Sequence, residues 1–331
     1  MAGPKSSIDP ISLRKRVEEA DRVLVGDEQT PADPLRAAEL YLAAADDGAG
    51  PAATRAAMLA AVGVARTPDW NEALDLLLRG AQLGDKFARR QLALIAGHTG
   101  DRYASGEVSN AKLWADVRKS IDLDAVLTPP RIRQISASPL IGVMEGYAPP
   151  AYAQWLIERG SGFLEPAQVY DVTTGEVRDH EMRTATSASF SVLYRDVVLA
   201  VMQERAARAT GLAVKQHEPP NVISYLPGQK FEEHFDFIDP TYPHFLDEID
   251  LIGQRVATCV TYLNADFEGA ETYFPELKIK FRGNPGDCLL FFNVTPDRQP
   301  DRRTLHAGLP PTKGRKWILS QWLRDKVQPL I

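Results

Sequence analysis

The chain has 331 residues, 44% hydrophobic and 25% charged, with 38 Lys+Arg against 44 Asp+Glu and a formal net charge of −6. Those proportions belong to a folded chain of about two domains rather than a disordered one, and the acidic balance argues against a general binder of nucleic-acid backbone. Only Cys259 and Cys288 are present, which excludes a disulfide framework, a four-cysteine zinc site or an iron–sulfur cluster and leads us to expect a reducing, cytoplasmic setting.

The first residues carry charges where a signal peptide needs an apolar core, and no run approaches the length of a membrane span, so no membrane partner is expected. From Ile11 to Leu123, Ala and Leu recur at helical spacing with few β-branched runs, which predicts helices. The segment Ala38 to Leu59 overlays the segment starting at Ala73 when Gly48 is set on Gly84, an offset, from 48 to 84, of 36 residues. Each copy reads as helix, Gly-containing turn, helix, and Ala104 to Ser120 is a degenerate third. Such repeats stack because one helix pair cannot bury its apolar face alone. The pattern resembles Sel1-like or tetratricopeptide repeats. Two roles stay open for it: a docking surface for a protein partner or substrate, or a prop for the second half. At Thr128-Pro129-Pro130 the helical pattern stops. The expected division is a helical-repeat domain over 1–127, a linker over 128–138 and a second domain over 139–331.

In that second domain Pro149 to Arg159 and Asp196 to Thr210 read as helices, the latter ended by Gly211. Strand-like runs follow at 221–226, 230–237, 256–263, 271–275, 287–293, 304–308 and 316–323, punctuated by Gly, Pro, Asn and Asp. They predict a β-sandwich or barrel with flanking helices.

On the strand from Lys230 to Phe237, alternation puts His234 and Asp236 on one face, with Phe235 and Phe237 turned into packing. His306 is the natural third ligand. Two imidazoles and one carboxylate leave metal positions open for a co-substrate and dioxygen, as in non-heme Fe(II) oxygenases. His244 is the rival, but it sits in a Pro-rich loop with no cation after it. His98, His180 and His217 read as surface or capping residues. Ten residues past His306 comes Lys316, opening an apolar strand whose alternation puts Lys316, Ile318, Ser320 and Trp322 on one face. A cation there calls for an anion, and a dicarboxylate co-substrate would supply one, with Trp322 in the same pocket.

From roughly Pro139 to Lys326 the sequence resembles the prolyl 4-hydroxylase branch of the Fe(II)/2-oxoglutarate-dependent oxygenases. The shared elements run in order: Arg183-Thr184; Tyr225 through Gly228 to His234-Phe-Asp236; Arg255 to Thr258 with Tyr262-Leu263-Asn264; Gly269-Ala-Glu-Thr272 to Pro275; Gly286-Asp287; His306-Ala-Gly; and Lys316-Trp317 with Trp322. The resemblance implies an α+β chain, an N-terminal all-α helical-repeat domain followed by a double-stranded β-helix (jelly roll) with flanking helices. It implies Fe(II) on His234, Asp236 and His306, and the distal carboxylate of 2-oxoglutarate on Lys316, Thr272 and Tyr225. It further implies a hydroxylase that couples oxidative decarboxylation of 2-oxoglutarate to succinate and CO2, with dioxygen as co-substrate, and it admits ascorbate as a reductant. Retention of Asp236 favours hydroxylation over halogenation. Gly269-Ala270 stands where the family has Gly-Gly, a small change at a turn.

Two further segments are expected near the mouth of the site. The insert from Ile238 to Gln254 is a substrate-selecting lid or a solvated loop, with Tyr242 a substrate contact in the first case. Tyr170 to Ser187 matches a mobile flap, and Arg183 is the other expected substrate contact. Three functions fit these residues: hydroxylation of a protein or peptide residue, proline among them, with the helical repeats gripping the polypeptide; the same chemistry on a free amino acid or small metabolite; and a non-catalytic repeat adaptor. The intact ligand set with Lys316 counts against the adaptor, and a zinc hydrolase has no need of Lys316, Thr272 and Tyr225. The sequence leaves both enzyme readings open.

Overall fold

In the computed structural model, which describes residues 9–64, 66–170, 177–179 and 183–329, the Ala/Leu-rich half folds as α1 (Pro10–Val25), α2 (Pro34–Asp46), α3 (Gly50–Val62), α4 (Trp70–Gln82), α5 (Lys86–Ile95), α6 (Asp101–Ala104), α7 (Ala111–Lys119) and α8 (Leu123–Leu127). Side chains of Asp9, Asp33, Asp69, Asp85 and Asn110 accept from first-turn amides and start five of these helices. The repeat shows in the turns. Gly48 and Gly84 both take positive φ, 106° and 96°. After each, the next amide bonds back to the helix, Ala49 N–H to the Ala44 carbonyl and Asp85 N–H to the Gly80 carbonyl. Almost every residue of α3 is buried, because its small side chains let neighbouring helices approach closely. The degenerate third copy is reduced to the single turn α6 and α7.

This helical unit takes in residues up to Leu127 and also Val192–Val201, far along the chain. The Val197 amide donates to Gln91 Oε1 at 2.8 Å and Arg55 donates to the Leu193 carbonyl, while Val192, Val197, Val198 and Leu199 are fully buried.

The second unit contains β1 (Ile132–Ala137), β2 (Leu140–Met144), α9 (Pro150–Ser161), β3 (Glu165–Pro166), β4 (Gln168–Tyr170), β5 (Val177–Asp179), β6 (Thr186–Ser189), α10 (Val197–Thr210, its first residues counted with the helical unit) and β7 (Asn221–Tyr225). There follow β8 (Phe231–His234), α11 (Leu246–Ile252), β9 (Arg255–Tyr262), β10 (Phe267–Gly269), β11 (Thr272–Phe274), β12 (Ile279–Phe281), β13 (Cys288–Phe292), β14 (His306–Gly308), β15 (Pro311–Gly314) and β16 (Lys316–Arg324). The stretch expected as a linker over 128–138 is not merely connecting chain: six of its residues form β1, which pairs with β2 at the edge of the large sheet. A Pro-Pro start hid a short, largely exposed edge strand that has little alternation to read.

Twelve of these strands form two antiparallel sheets, β1-β2-β13-β9-β16-β7-β6-β3 and β12-β11-β14-β8, which make the double-stranded β-helix, while β10 pairs with β15 and β4 with β5. Ile223, Val260, Ile318, Leu289 and Phe291 of the large sheet meet Phe274 of the small one in a shared core. α9 lies over β6 and β7, and Gly160 provides the room: a Cβ there would come within 2.6 Å of Val222 Cγ1.

Gly286 opens β13 at φ 92°, where a Cβ would fall 2.0 Å from the Ala148 carbonyl oxygen; Gly211 has φ 76° with nothing within 4 Å. Gly286→Ala is expected to cost about 2–4 kcal/mol, backbone strain plus overpacking, and Gly211→Ala only about 1 kcal/mol from strain. Equal shifts of the thermal unfolding midpoint in the two variants would contradict the packing argument.

Candidate active site

β8 ends at His234, so the backbone leaves the strand before Asp236. Alternation on one continuous strand therefore does not carry the His-x-Asp pair. Phe235 instead stacks on Phe237, ring centroids 4.6 Å apart, with the Arg302 guanidinium 5.7 Å over Phe235. The pair still converges, His234 Nε2 lying 3.6 Å from Asp236 Oδ1. His306 opens β14 directly opposite His234 in the register and places its Nε2 3.6 Å from Asp236 Oδ2. One donor atom from each of the three lies within 4.8 Å of the others.

The same local device orients both rings. His234 Nδ1 bonds the Glu232 carbonyl at 2.7 Å and His306 Nδ1 bonds the Thr304 carbonyl at 3.0 Å, in each case two residues back. Donation from Nδ1 leaves each Nε2 as a bare lone pair directed at the shared space. Asp236 Oδ2 accepts from the Thr258 hydroxyl at 2.7 Å, and that hydroxyl accepts from Asn293 Nδ2 at 3.0 Å. Burial opposes the charge of Asp236, but His306, His234 and the Thr258 hydroxyl outweigh it and hold the carboxyl well below its usual range. Burial, with His234 adding to it and Asp236 opposing, pushes His306 down to about 4, so that ring is neutral at neutral pH. A buried carboxylate between imidazoles calls for a cation, and two imidazole nitrogens with one carboxylate oxygen are a donor set that suits Fe(II) with positions to spare. His244 is not among them; it sits on a turn within the insert, 4.3 Å from the Phe245 ring.

The cluster opens on a cavity of about 440 Å³, counting the part open to solvent, whose wall also includes Arg183, Tyr225, Thr272, Lys316 and Trp322. The register sets Lys316 opposite Tyr225. Lys316 is 2% exposed; its Nζ donates to the Ala270 carbonyl at 2.8 Å and lies 5.0 Å from the Tyr262 ring centroid. Among the described residues it makes no ion pair. Ala270, expected to be a minor change from Gly, holds φ 60° with its methyl fully buried, a left-handed alanine that keeps its carbonyl on Lys316 at a strain of about 1 kcal/mol. Trp322 has the Arg255 guanidinium 3.9 Å over its ring, and Glu218 accepts both Arg255 Nε at 2.6 Å and Nη2 at 2.9 Å.

Arg183 is buried with its guanidinium 4.7 Å over Phe231 and its Nε without a partner. Tyr242 does not reach the cavity wall. It packs near His244 and Phe245 in an insert tied down by Gln254, which both donates to and accepts from the backbone of Ile238, and by Arg324, which binds Glu248 and the Gly253 carbonyl. The two ends of the insert, expected as either a lid or a solvated loop, are thus held to the β-domain, and none of its residues borders the cavity. His180 and half of the expected flap, residues 171–176 and 180–182, lie outside the described residues. His217, expected at the surface, is buried.

Thr258, Tyr262 and Arg255 lie within the shared elements but carried no expected role there, while Asn293 and Glu218 lie outside them. Period-2 alternation on β9 puts Thr258, Val260 and Tyr262 on one face, so two polar groups on an inward face were the available signal. Burial lowers Lys316 to about 7, with Glu271 pulling the other way. An anion held by Lys316 favours the ammonium form, so above pH 7 its binding takes up a proton, and affinity falls as pH rises. The 2-oxoglutarate KM should rise about fivefold between pH 7 and 8 by this linkage; a KM unchanged from pH 6.5 to 8.5 would remove Lys316 from the anion site.

A family model described as the 2OG-Fe(II) oxygenase superfamily matches residues 220–324. The chain is similar to the probable prolyl 4-hydroxylase 10 of Arabidopsis thaliana, 32% identical over 211 residues, covering 57% of this chain and 70% of that one. It is 29% identical over 220 residues to the probable prolyl 4-hydroxylase 4 of the same plant, covering 60% and 71%. Among solved structures it is similar to the viral collagen prolyl hydroxylase of Paramecium Bursaria Chlorella virus-1 in its 2-oxoglutarate complex, with 27% identity, a TM-score of 0.44, and coverage of 56% of this chain and 95% of that one. The chain belongs to the 2OG-Fe(II) oxygenase superfamily, in its prolyl 4-hydroxylase family, and is a 2-oxoglutarate-dependent dioxygenase.

Proposed function

We propose that this chain hydroxylates a prolyl residue within a protein or peptide. One observation carries the reading: a buried lysine that makes no ion pair among the described residues and a buried carboxylate set between two imidazoles face a single cavity. In this assignment His234, Asp236 and His306 hold Fe(II), and Lys316, Tyr225 and Thr272 hold the distal carboxylate of 2-oxoglutarate. Bound there, the iron supplies dioxygen binding and its reduction, coupled to decarboxylation of 2-oxoglutarate to succinate and CO2. The protein's own part is orientation and exclusion of water. The Thr258 hydroxyl and Asn293 fix the carboxylate, the two backbone carbonyls fix the imidazoles, and the apolar wall of Ile223, Val260 and Ile318 keeps the centre dry. Arg183, with a free Nε, and Trp322, held flat by Arg255, are the groups left on the wall to meet the substrate. Tyr242 is not needed.

The names borne by the relatives favour a polypeptide over a free metabolite. Docking of that polypeptide on the helical repeats belongs to the proposal, with one restriction. Arg55 of α3 and Gln91 of α5 are engaged by the chain's own Val192–Val201 segment, so docking uses other surfaces of the unit. For the same reason, removing residues 1–127 would strip the cover from buried Val197 and Leu199, and full-length protein is the right object for assay. A reducing, cytoplasmic setting completes the proposal; Cys259 and Cys288 are free and buried thiols.

The test is incubation of the full chain with Fe(II), 2-oxoglutarate, air and proline-containing peptides. A +16 Da peptide product in step with succinate is expected, and neither should form with Asp236→Ala. Succinate stimulated by free amino acids, with no peptide modified, would overturn the polypeptide reading.

A further inference from the structure

Trp322 is the one indole among the described residues that line the cavity, and no polar contact of its ring holds it in place. Its Nε1 is buried and makes no hydrogen bond among the described residues. A flat side chain without a polar anchor keeps its rotamer only if its faces are packed. One face of this ring is covered by a cation, the Arg255 guanidinium, 3.9 Å from the ring centroid. Arg255 does not border the cavity itself; it stands behind the indole that does.

Arg255 is fixed in turn by a circuit built on the main chain of Trp322. The Glu218 amide donates to the Trp322 carbonyl at 3.0 Å, and the Glu218 carbonyl accepts from Gln321 Nε2 at 2.6 Å. The Glu218 carboxylate then accepts Arg255 Nε at 2.6 Å and Nη2 at 2.9 Å, a two-point contact that sets the guanidinium plane. The circuit closes where that plane meets the Trp322 ring. A second cation shares the carboxylate: Arg324 donates to Glu218 Oε1 and, through Nη2, to Glu248 at 2.7 Å. Two carboxylates thus answer two guanidiniums, and the buried network holds no unpaired charge. Burial opposes the charge of Glu218, but Arg255 and Arg324 hold its carboxyl below the usual range, so the clamp stays ionised.

We propose that Arg255, oriented by Glu218, is a positioning residue that sets the plane of the Trp322 indole and, through it, the aim of the polypeptide at the metal centre. The inference rests on the reading that Trp322 meets the substrate. Charge alone does not do this. A lysine at position 255 keeps the positive charge but offers Glu218 no planar fork and the indole no flat face. Without the stack the indole takes other rotamers and the substrate is held off line, while co-substrate binding, which uses Lys316, Tyr225 and Thr272, is untouched.

The test compares full chains of wild type, Arg255→Met, Arg255→Lys, Trp322→Ala and the double variant Arg255→Met with Trp322→Ala. Arg255→Met leaves Glu218 paired with Arg324, so no carboxylate is stranded. Peptide kcat/KM and 2-oxoglutarate KM are measured, together with the fluorine resonance of Trp322 in 5-fluorotryptophan-labelled, Zn(II)-loaded chain, assigned by its loss in Trp322→Ala. In both single Arg255 variants peptide kcat/KM is expected to fall about three- to tenfold with 2-oxoglutarate KM within about twofold, and the Trp322 resonance to shift or split. The double variant should be no slower than Trp322→Ala, because Arg255 acts only through the indole. An unmoved resonance in Arg255→Met, wild-type peptide kcat/KM in Arg255→Lys, or additive losses in the double variant would each overturn the proposal. Failure of the underlying reading looks different: peptide kcat/KM would then be unchanged in Trp322→Ala even though the resonance moves in Arg255→Met.

Discussion

An ammonium group taken out of water with one carbonyl for a partner is an incomplete interaction, and the cavity of this protein is organised around it. Lys316 heads β16 inside an apolar core, bonded to the strained Ala270 and faced by the rings of Tyr225 and Tyr262. Asp236 is incomplete in the opposite sense, a buried carboxylate flanked by two imidazoles whose Nε2 atoms are free. Burying either charge is costly by itself. A ligand that carries a carboxylate at one end and chelates a metal at the other completes both together, which is why a 2-oxo dicarboxylate suits this wall better than a neutral co-substrate.

Sheet register converts that requirement into geometry. β16 lies between β7 and β9, so Lys316 faces Tyr225 on one side, while Ile318 is paired with Tyr262 and Trp322 with Thr258 on the other. Thr258 and Tyr262 are four residues apart on one strand, about 13 Å at the usual rise. One strand thus bonds Asp236 through Thr258 and Thr272 through Tyr262. The small sheet supplies His234, His306 and Thr272 across from them. Shifting β16 by one residue would turn Lys316 out of the core, so the packing that stabilises the barrel also fixes the site.

Much of this was legible because the chemistry-bearing residues sit at strand starts with strong alternation around them. His306 and Lys316 open their strands, and the apolar face after Lys316 is continuous. Two kinds of feature were not legible. Positions set by departures from regular structure escape a period-2 reading: Asp236 lies beyond the end of β8, and β1 is an exposed edge strand behind a Pro-Pro pair. Positions set by contacts between segments distant in sequence escape it as well. Glu218 with Arg255, Asn293 with Thr258, and Val192–Val201 with the helical unit meet only in the folded chain. The insert after Asp236 reads as lid or loop because its composition, acidic and aromatic, fits both; Gln254 and Arg324, far apart in sequence, hold its ends.

The central claim is that the three-residue cluster and Lys316 act on one bound 2-oxoglutarate. It is tested most directly by anaerobic titration of the Fe(II)-loaded chain with 2-oxoglutarate, following the visible metal-to-ligand charge-transfer absorption of the chelate. The account predicts a saturable band at one 2-oxoglutarate per chain, which in Lys316→Ala reaches the same height only at about tenfold to a hundredfold more ligand. Absence of the band in the wild-type chain, or coincident titration curves for wild type and Lys316→Ala, would contradict it.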